Sequence, residues 1–416
     1  MRNVIFFDTE NNHLDLLPIT FTRPVCEIRV GIRTIAEKWH DIIYGHHSVL
    51  SVEYLREKYI PQELPEEENN LYIFGALLPD DVTVYMINGL IRKNLLVDPA
   101  SGRLLAACCT ASEFQRLDLD ANYLEKEPEG FYVKLNQSDS LKFIEFPYHI
   151  FQYNGEEIRN DYYDIIIKGP IGQPLDDSNK VIGNPYLPDG NPAIFIEEGA
   201  VVEGAILNVK EGPIYIGHNA KVMEGSCIRG PFALCDGAKV NMGSKIYSDT
   251  TIGPMCKVGG ELNNVVMLGH SNKAHDGYLG NAVIGEWCNI GAGTNASNLK
   301  NDYSKIRLWN YRRHTFMRTD LQFCGLIMGD HSKAGINCMF NTATVVGVGC
   351  NIHGSGFPRA FIPSFSEGSP TSGFTDVTLK KFIDIAERVM ARRQIEVTDI
   401  DHRIFERVAK VASQFK

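Results

Sequence analysis

Aliphatic residues recur every six positions through the middle of the chain. Ile216, Val222, Ile228, Leu234, Val240, Ile246, Ile252 and Val258 follow one another without a break. The fourth residue after each of the first seven is Ala220, Ser226, Phe232, Ala238, Ser244, Thr250 and Cys256, small in every case but Phe232. A helix repeats every 3.6 residues and a half-buried strand every two, so neither generates this pattern. A hexapeptide period with an aliphatic anchor and a small partner predicts a prism-like β-helix, in which each flat face is a short parallel strand and each corner a turn. The anchors stack along the axis, coil on coil, and the corners admit only something small. The same phase appears at Ile196 and Val202, and returns at Tyr278, Ile284 and Ile290 and at Phe340, Val346 and Ile352. The expected solenoid therefore covers 193–357, interrupted by loops at about 209–215, 262–277 and 297–325.

Upstream the pattern changes. Apolar β-type runs at 4–8, 71–75 and 82–87 alternate with helical spacing at 28–38 and 51–58, which predicts an α/β domain over 1–165 with a largely parallel sheet. Residues 146–162 read as a connecting helix, and 166–192 as a linker carrying proline and glycine. Beyond the solenoid, 356–370 is rich in proline, serine and glycine and reads as a connection. Val377, Phe382, Ile385, Val389, Ile395, Ile404 and Val408 then follow at helical spacing, so 358–416 is expected to hold a connection and C-terminal helices.

Composition narrows the function classes. The 416 residues exceed one ordinary core, and the 44% hydrophobic and 22% charged content is that of a water-soluble globular protein without a membrane-spanning run. A net charge of -10 argues against nucleic acid or an anionic membrane as partner, while leaving local basic sites for phosphorylated substrates. The start, MRNVIFFDTENN, lacks the layout of a secretory signal, and a cytoplasmic location is expected. None of the ten cysteines forms a C-x-x-C pair, so buried free thiols are expected rather than a metal or disulfide framework.

In the first half, LLPITFTRPVCEIRVGIRTIAEKW, residues 16–39, carries Pro18, Ile19 and Thr20 and then Pro24. It resembles the start of sugar-phosphate nucleotidyltransferases, where a Pro-Leu-Thr element precedes a Pro-Lys pair. Two features depart from that pattern. The glycine-rich loop whose N–H groups approach nucleotide phosphates is replaced by Asp8-Thr9-Glu10-Asn11-Asn12-His13, and Val25 stands where the lysine belongs. The chain thus resembles a divergent sugar nucleotidyltransferase with TRP and RVGI signatures and a β-helical C-terminus. The resemblance implies a sugar phosphate, a nucleoside triphosphate and Mg²⁺ if this domain is active. Arg23, Arg29 and Arg33 read either as a cluster facing phosphate or as ordinary ion-pairing positions. Asp8 reads either as a Mg²⁺ ligand or as the cap of the next turn.

The stretch KAHDGYLGNAVIGEWCNIGAGTNASN, residues 273–298, holds His275, Tyr278, Leu279 and Gly280, then Asn289-Ile290-Gly291-Ala292-Gly293-Thr294, then Asn298. At these spacings it resembles the acetyl-transfer site of the bifunctional N-acetylglucosamine-1-phosphate uridyltransferase/glucosamine-1-phosphate acetyltransferase family. The resemblance implies a left-handed parallel β-helix, acetyl-CoA as donor and a homotrimer. It also implies His275 as general base, and Tyr278, Asn289 and Asn298 as binders of the sugar acceptor. The Ala292 N–H would meet the developing oxyanion. Lys273, Arg229 or Lys333 are candidates for the acceptor's anion, Arg312 or Arg313, in the long loop 299–323, for coenzyme A phosphate or substrate, and Lys333 also for the cofactor. On the plain reading the glycines serve corners, the asparagines form ladders and His275 caps a loop, with His270 and His331 as rival bases. Three functions follow: an acetyl-transferring sugar-nucleotide enzyme with a nucleotidyltransferase-like head, a nucleotidyltransferase whose β-helix only assembles or regulates, and a scaffold.

Overall fold

The computed structural model describes residues 3–59, 69–126, 128–169 and 172–416. Two compact units divide the chain: Met1–Leu16, Thr22–Ile28 and Arg33–Phe146 form the first, and Leu17–Phe21, Arg29–Ile32 and Pro147–Lys416 the second. Pro170 and Ile171 of the expected linker lie outside the described residues.

The first unit is built on six strands, β1 (Asn3–Phe7), β2 (His46–Leu50), β3 (Asn70–Phe74), β4 (Asn94–Val97), β5 (Leu104–Cys109) and β6 (Tyr132–Leu135), in the order β2-β1-β3-β5-β4-β6. β1 runs parallel to β2 and β3, and β4 to β6, but β5 is antiparallel to both of its neighbours. The sheet is mixed, which corrects the expectation of a largely parallel one. Central strands β1, β3 and β5 are buried nearly throughout, as their continuous apolar runs require. The run at 82–87 is not a strand. It lies in the helix Asp81–Asn88, because Asp80 accepts from the N–H groups of Val82 and Thr83 and so caps a helix on which Thr83 and Ile87 share the buried face.

The second unit is a parallel β-helix. Ile216 pairs with Leu234, Leu234 with Ile252 and Ile252 with Met267; the column continues through Ile284, Met328, Val346 and Ile362. A second column runs Leu207, Ile228, Ile246, Leu262, Leu279, Ala296 and Phe340. The third runs Val202, Val222, Val240, Val258 and Lys273. All these residues are buried, so one continuous core runs the length of the prism. Three strands of a hexapeptide repeat complete one coil, which is why equivalent anchors stand eighteen residues apart through 216, 234 and 252.

The repeat then changes length. Ile252 pairs with Met267 and Val258 with Lys273, a coil fifteen residues long. In the next coil the inward residues Leu279 and Ile284 are five apart rather than six, so the inward place falls on Leu279 and not on Tyr278, which pairs opposite Glu261. The expected loop at 262–277 is mostly strand, Glu261–Gly269 and Asn272–Lys273, while the one at 297–325 contains the hairpin Arg307–Asn310 with Thr315–Arg318. Coils extend past 357 through Phe361–Ile362 and Ser366–Ser369, and the ladder already begins at Lys180–Ile182.

The long helix Pro147–Lys168 and the short segment Arg29–Ile32 belong to this unit. Helices Leu379–Ala391 and Asp399–Ala412 close it, burying Phe382, Met390, Phe405 and Val408, with the Phe382 and Phe405 rings edge to face at 5.0 Å. No helix among the described residues is long and apolar enough to cross a membrane. The ten cysteines are free thiols, all buried except Cys227.

Candidate functional site

His275 stands on the loop 274–277, which lies directly on the coil beneath it. The close approach demands glycine there: a Cβ on Gly259 would sit 2.4 Å from the Ala274 carbonyl oxygen, and one on Gly260, at φ +77°, 2.8 Å from that of His275. From below, the Asn241 amide donates to the Ala274 carbonyl at 2.8 Å. Lys273 donates to the carbonyls of Gly259, at 3.2 Å, and His275.

The exposed side of His275 forms part of a cleft of about 490 Å³, shared with Asn241, Met242, Gly259, Ala292, Gly293 and Asn337. The Ala292 carbonyl accepts from Asn337 at 2.8 Å, and Gly293 donates to the Asp276 carbonyl at 2.9 Å. The Ala292 N–H donates to no other group among the described residues. His275 and Ala292 thus line one cleft, the first exposed and the second with an N–H that no other group among the described residues takes up.

The remaining expected residues fall elsewhere. Tyr278 and Asn298 come together on the outside of the prism. Burial pushes the Tyr278 hydroxyl up, and its hydrogen bonds with Asn263 and Asn298 act the other way. Asn298 also donates to the Asn281 side chain at 2.8 Å. Asn289 is exposed on a different strand row, flanked by Asn272 and Lys333. Lys333 does not reach the cleft: its ammonium donates to the carbonyls of Trp287, at 3.0 Å, and His331, at 2.8 Å, and burial lowers its pKa. Lys273, expected to hold an acceptor anion, is only 1% exposed and stands in the inward column above Val258. Arg312 is half-buried in the turn of the hairpin, and Arg229 is paired with Glu211 at 3.4 Å.

His270 and His331 are not part of the cleft. With Trp287 they occupy left-handed corner positions, at φ 54°, 60° and 59°. His270 stacks on Trp287 with ring centroids 4.2 Å apart, and His331 meets Phe382 and Phe405 edge-on. Burial lowers the His270 pKa, with Glu286 opposing. These rings form a corner ladder under the C-terminal helices. Among the cleft residues, Asn241 and Asn337 escaped the sequence reading, because a polar residue beside a corner glycine looks like any other turn position. A larger cleft of about 1070 Å³, lined by Trp309, Phe316, Phe361, Phe374 and Phe415, contains none of the expected residues.

In the first unit, the segment replacing the glycine loop is the helix Glu10–Asp15, capped by the Thr9 hydroxyl. Asp8 is buried and its carboxylate accepts from the Val25 N–H at 3.2 and 3.3 Å and from the Ser51 hydroxyl, with His13 Nδ1 at 3.4 Å. A carboxylate so committed does not fit a Mg²⁺ ligand. Among the described residues no group of three His, Cys, Asp or Glu side chains is placed to hold a metal ion. Arg23 is 4% exposed. Arg33 pairs with Asp41 at 2.9 Å, and Arg29 donates to the Ile32 carbonyl. Asp8→Ala is expected to cost about 1 to 3 kcal/mol, since it strands buried donors, and millimolar Mg²⁺ alone is expected to leave the wild-type melting temperature unchanged. Thermal melts of both proteins with and without the ion check this.

Residues 4–168 match a family described as sugar nucleotidyl transferase. The Bifunctional protein GlmU of Trichodesmium erythraeum is 33% identical over 135 residues, which is 32% of this chain and 24% of that protein. Its namesake from Methanocaldococcus jannaschii is 30% identical over 95 residues, 23% of this chain and 22% of that one. The alignments span about a quarter of the length of these relatives. Among solved structures, the N-acyltransferase AntD from Bacillus cereus, in complex with dTDP-4-amino-4,6-dideoxyglucose and coenzyme A, covers 51% of this chain and 91% of its own at 12% identity and a TM-score of 0.20. The UDP-N-acetylglucosamine acyltransferase of Francisella novicida covers 58% and 76% at 13% identity and a TM-score of 0.21. The β-helix of this chain rests on its own strand registers and not on so distant a likeness. The sequence matches support a divergent sugar nucleotidyltransferase with a hexapeptide-repeat region, similar to the bifunctional proteins.

Proposed function

We propose that this divergent sugar nucleotidyltransferase relative transfers an acetyl group on its β-helix, from acetyl-CoA to the amine of an amino sugar or amino sugar phosphate. One observation carries the proposal: exposed His275 and Ala292, whose N–H donates to no other group among the described residues, both line a cleft of about 490 Å³. An amine attacking a thioester must lose a proton, and imidazole is the side chain whose ordinary titration suits taking it near neutrality. As the amine nitrogen bonds to the acyl carbon, the carbonyl oxygen gains negative charge and the Ala292 N–H donates to it. Collapse breaks the carbon–sulfur bond, and the proton held by His275 passes to the departing thiolate. Tyr278, Asn289, Asn298, Arg312 and Lys333 do not line this cleft and have no part in the step.

Met242 and Ile336, at the cleft's rim, are 71% and 69% exposed. Apolar side chains so open suit cover by a second prism, and the working assembly is a homotrimer with its grooves between subunits. Residues 1–165 act as a nucleotidyltransferase-like head that binds a sugar phosphate or nucleoside triphosphate through Arg23, and the enzyme works in the cytoplasm. The match of residues 4–168 favours a second reading, nucleotidyl transfer with the β-helix serving assembly. A helix in place of the glycine loop weighs against it.

The test is a thermal-shift screen of the full chain with acetyl-CoA, UTP, dTTP and sugar 1-phosphates, together with coenzyme A release followed by a thiol reagent over a panel of amino sugars and their phosphates. Acetyl-CoA is expected to raise the melting temperature, and at least one acceptor to release coenzyme A. Stabilisation by a nucleoside triphosphate with no response to acetyl-CoA would transfer the function to the second reading.

A further inference from the structure

We infer that Lys273 is a positioning residue: from inside the β-helix its ammonium holds the His275 carbonyl and so fixes the loop that presents the imidazole to the cleft. This rests on the reading of His275 as the base.

The position itself is the first clue. In the coils below, the same inward column carries Val202, Val222, Val240 and Val258, and Lys273 pairs directly with Val258. An axis lined by aliphatic side chains is an unfavourable place for an ammonium, which must leave water and find acceptors. At 1% exposure Lys273 is among the most buried large side chains of the chain, and no acid forms an ion pair with it among the described residues. Its acceptors are two carbonyls: Gly259, on the coil below, and His275, on the loop. One side chain thus ties the loop to the coil that supports it.

The loop has a second tether beside the first, from the Asn241 amide to the Ala274 carbonyl at 2.8 Å. Two successive carbonyls, on Ala274 and His275, are therefore held, while the imidazole stays exposed. Gly259 and Gly260 leave room for this; any side chain on either would push the loop away. A valine at 273 would continue the column but leave the His275 carbonyl without this donor.

Burial brings the Lys273 ammonium down to about 8, with Asp276, the charged neighbour on the loop, pulling the other way. The sign follows. Below about pH 8 the group is charged and donates strongly; above it, the neutral amine holds the carbonyls weakly and the loop loosens.

The experiment compares full-length wild type with Lys273→Met, which keeps the stem and removes the ammonium. Hydrogen–deuterium exchange of the Glu261 and Gly293 amides, which donate to the loop carbonyls of Gly277 and Asp276, is measured at pH 7 and pH 9, corrected for intrinsic exchange. At pH 7 the variant is expected to exchange about ten-fold faster at a melting temperature equal to or above wild type. Wild type at pH 9 approaches the variant, an arm that needs no substitution. Turnover of the variant falls by a similar factor at unchanged KM, and the alkaline limb of its pH profile disappears. Equal protection in the two proteins, with no change in wild type between pH 7 and pH 9, overturns the inference. If protection changes as expected but His275→Ala is as fast as wild type, Lys273 still holds the loop and the assignment of the base is what falls.

Discussion

His275→Ala is expected to lose about 10²- to 10⁴-fold in turnover, the usual contribution of general-base assistance, while the melting temperature barely moves. The two halves of this expectation have separate origins. The imidazole is exposed and makes no hydrogen bond among the described residues, so its removal strands no partner and opens no cavity. The loop's geometry is held through the backbone by Lys273 and Asn241, and alanine leaves those tethers in place. His270→Ala makes the informative control, because its ring is stacked on Trp287 at 4.2 Å in the corner ladder away from the cleft. It should cost about 0.5 to 1.5 kcal/mol of stability and little turnover, the reverse of His275. Coenzyme A release would be followed for wild type and both variants side by side. A His275→Ala enzyme as fast as wild type sinks the assignment, and a slow His270→Ala enzyme with wild-type stability would move the base to the ladder.

The six-residue period was readable from 216 to 258 because every coil there has the same length, so inward positions repeat in sequence as they repeat in space. It misled at Tyr278 for the converse reason. Tyr278 stands six residues before Ile284, but the inward residues of that coil, Leu279 and Ile284, are only five apart, as Leu262 and Met267 are in the coil below. That spacing turns the Tyr278 hydroxyl out towards Asn263 and Asn298. Lys273 was unreadable as an axial residue, since neither its type nor its spacing marks it as buried; only strand pairing reveals it. In the first unit, VTVYMI has the composition of a strand, but a side-chain cap at Asp80 outweighs β-branched propensity in a short exposed segment. The coils at 361–369 read as a connection in the sequence because proline, serine and glycine serve prism corners as well as linkers. Of the candidate site, the histidine and the Ala292 corner were legible from resemblance to a known motif. Their support from Asn241 and Lys273 was not, because it comes from side chains whose neighbours are set by coil stacking.

Gly31→Ala is expected to destabilise the second unit by about 2 to 5 kcal/mol, the combined cost of a left-handed backbone and of overpacking. The RVGI signature, whose Arg29 the sequence offers as a phosphate-facing residue, is packed within the second unit. Gly31 has φ +85°, and a Cβ there would lie 2.5 Å from the Asp161 carboxylate and 2.7 Å from the Glu157 carbonyl. Its N–H donates to the Asn154 side chain at 2.8 Å, and its carbonyl accepts from the Thr251 hydroxyl at 3.0 Å. Thr251 also donates to Asn154 at 3.1 Å, and the Ile32 N–H to Asp161 at 2.7 Å. Asn154 is 0% exposed, Thr251 0% and Asp161 2%, so the polar groups that a displaced segment would leave behind are all buried and would face no water. Calorimetry of the full chain reads the loss directly as a lowered transition for the β-helical unit. An unchanged melting profile would mean that the segment leaves its seat at little cost and that these hydrogen bonds carry almost none of the stability. An unchanged profile accompanied by lost nucleoside triphosphate binding would return RVGI to the role of a phosphate-facing motif.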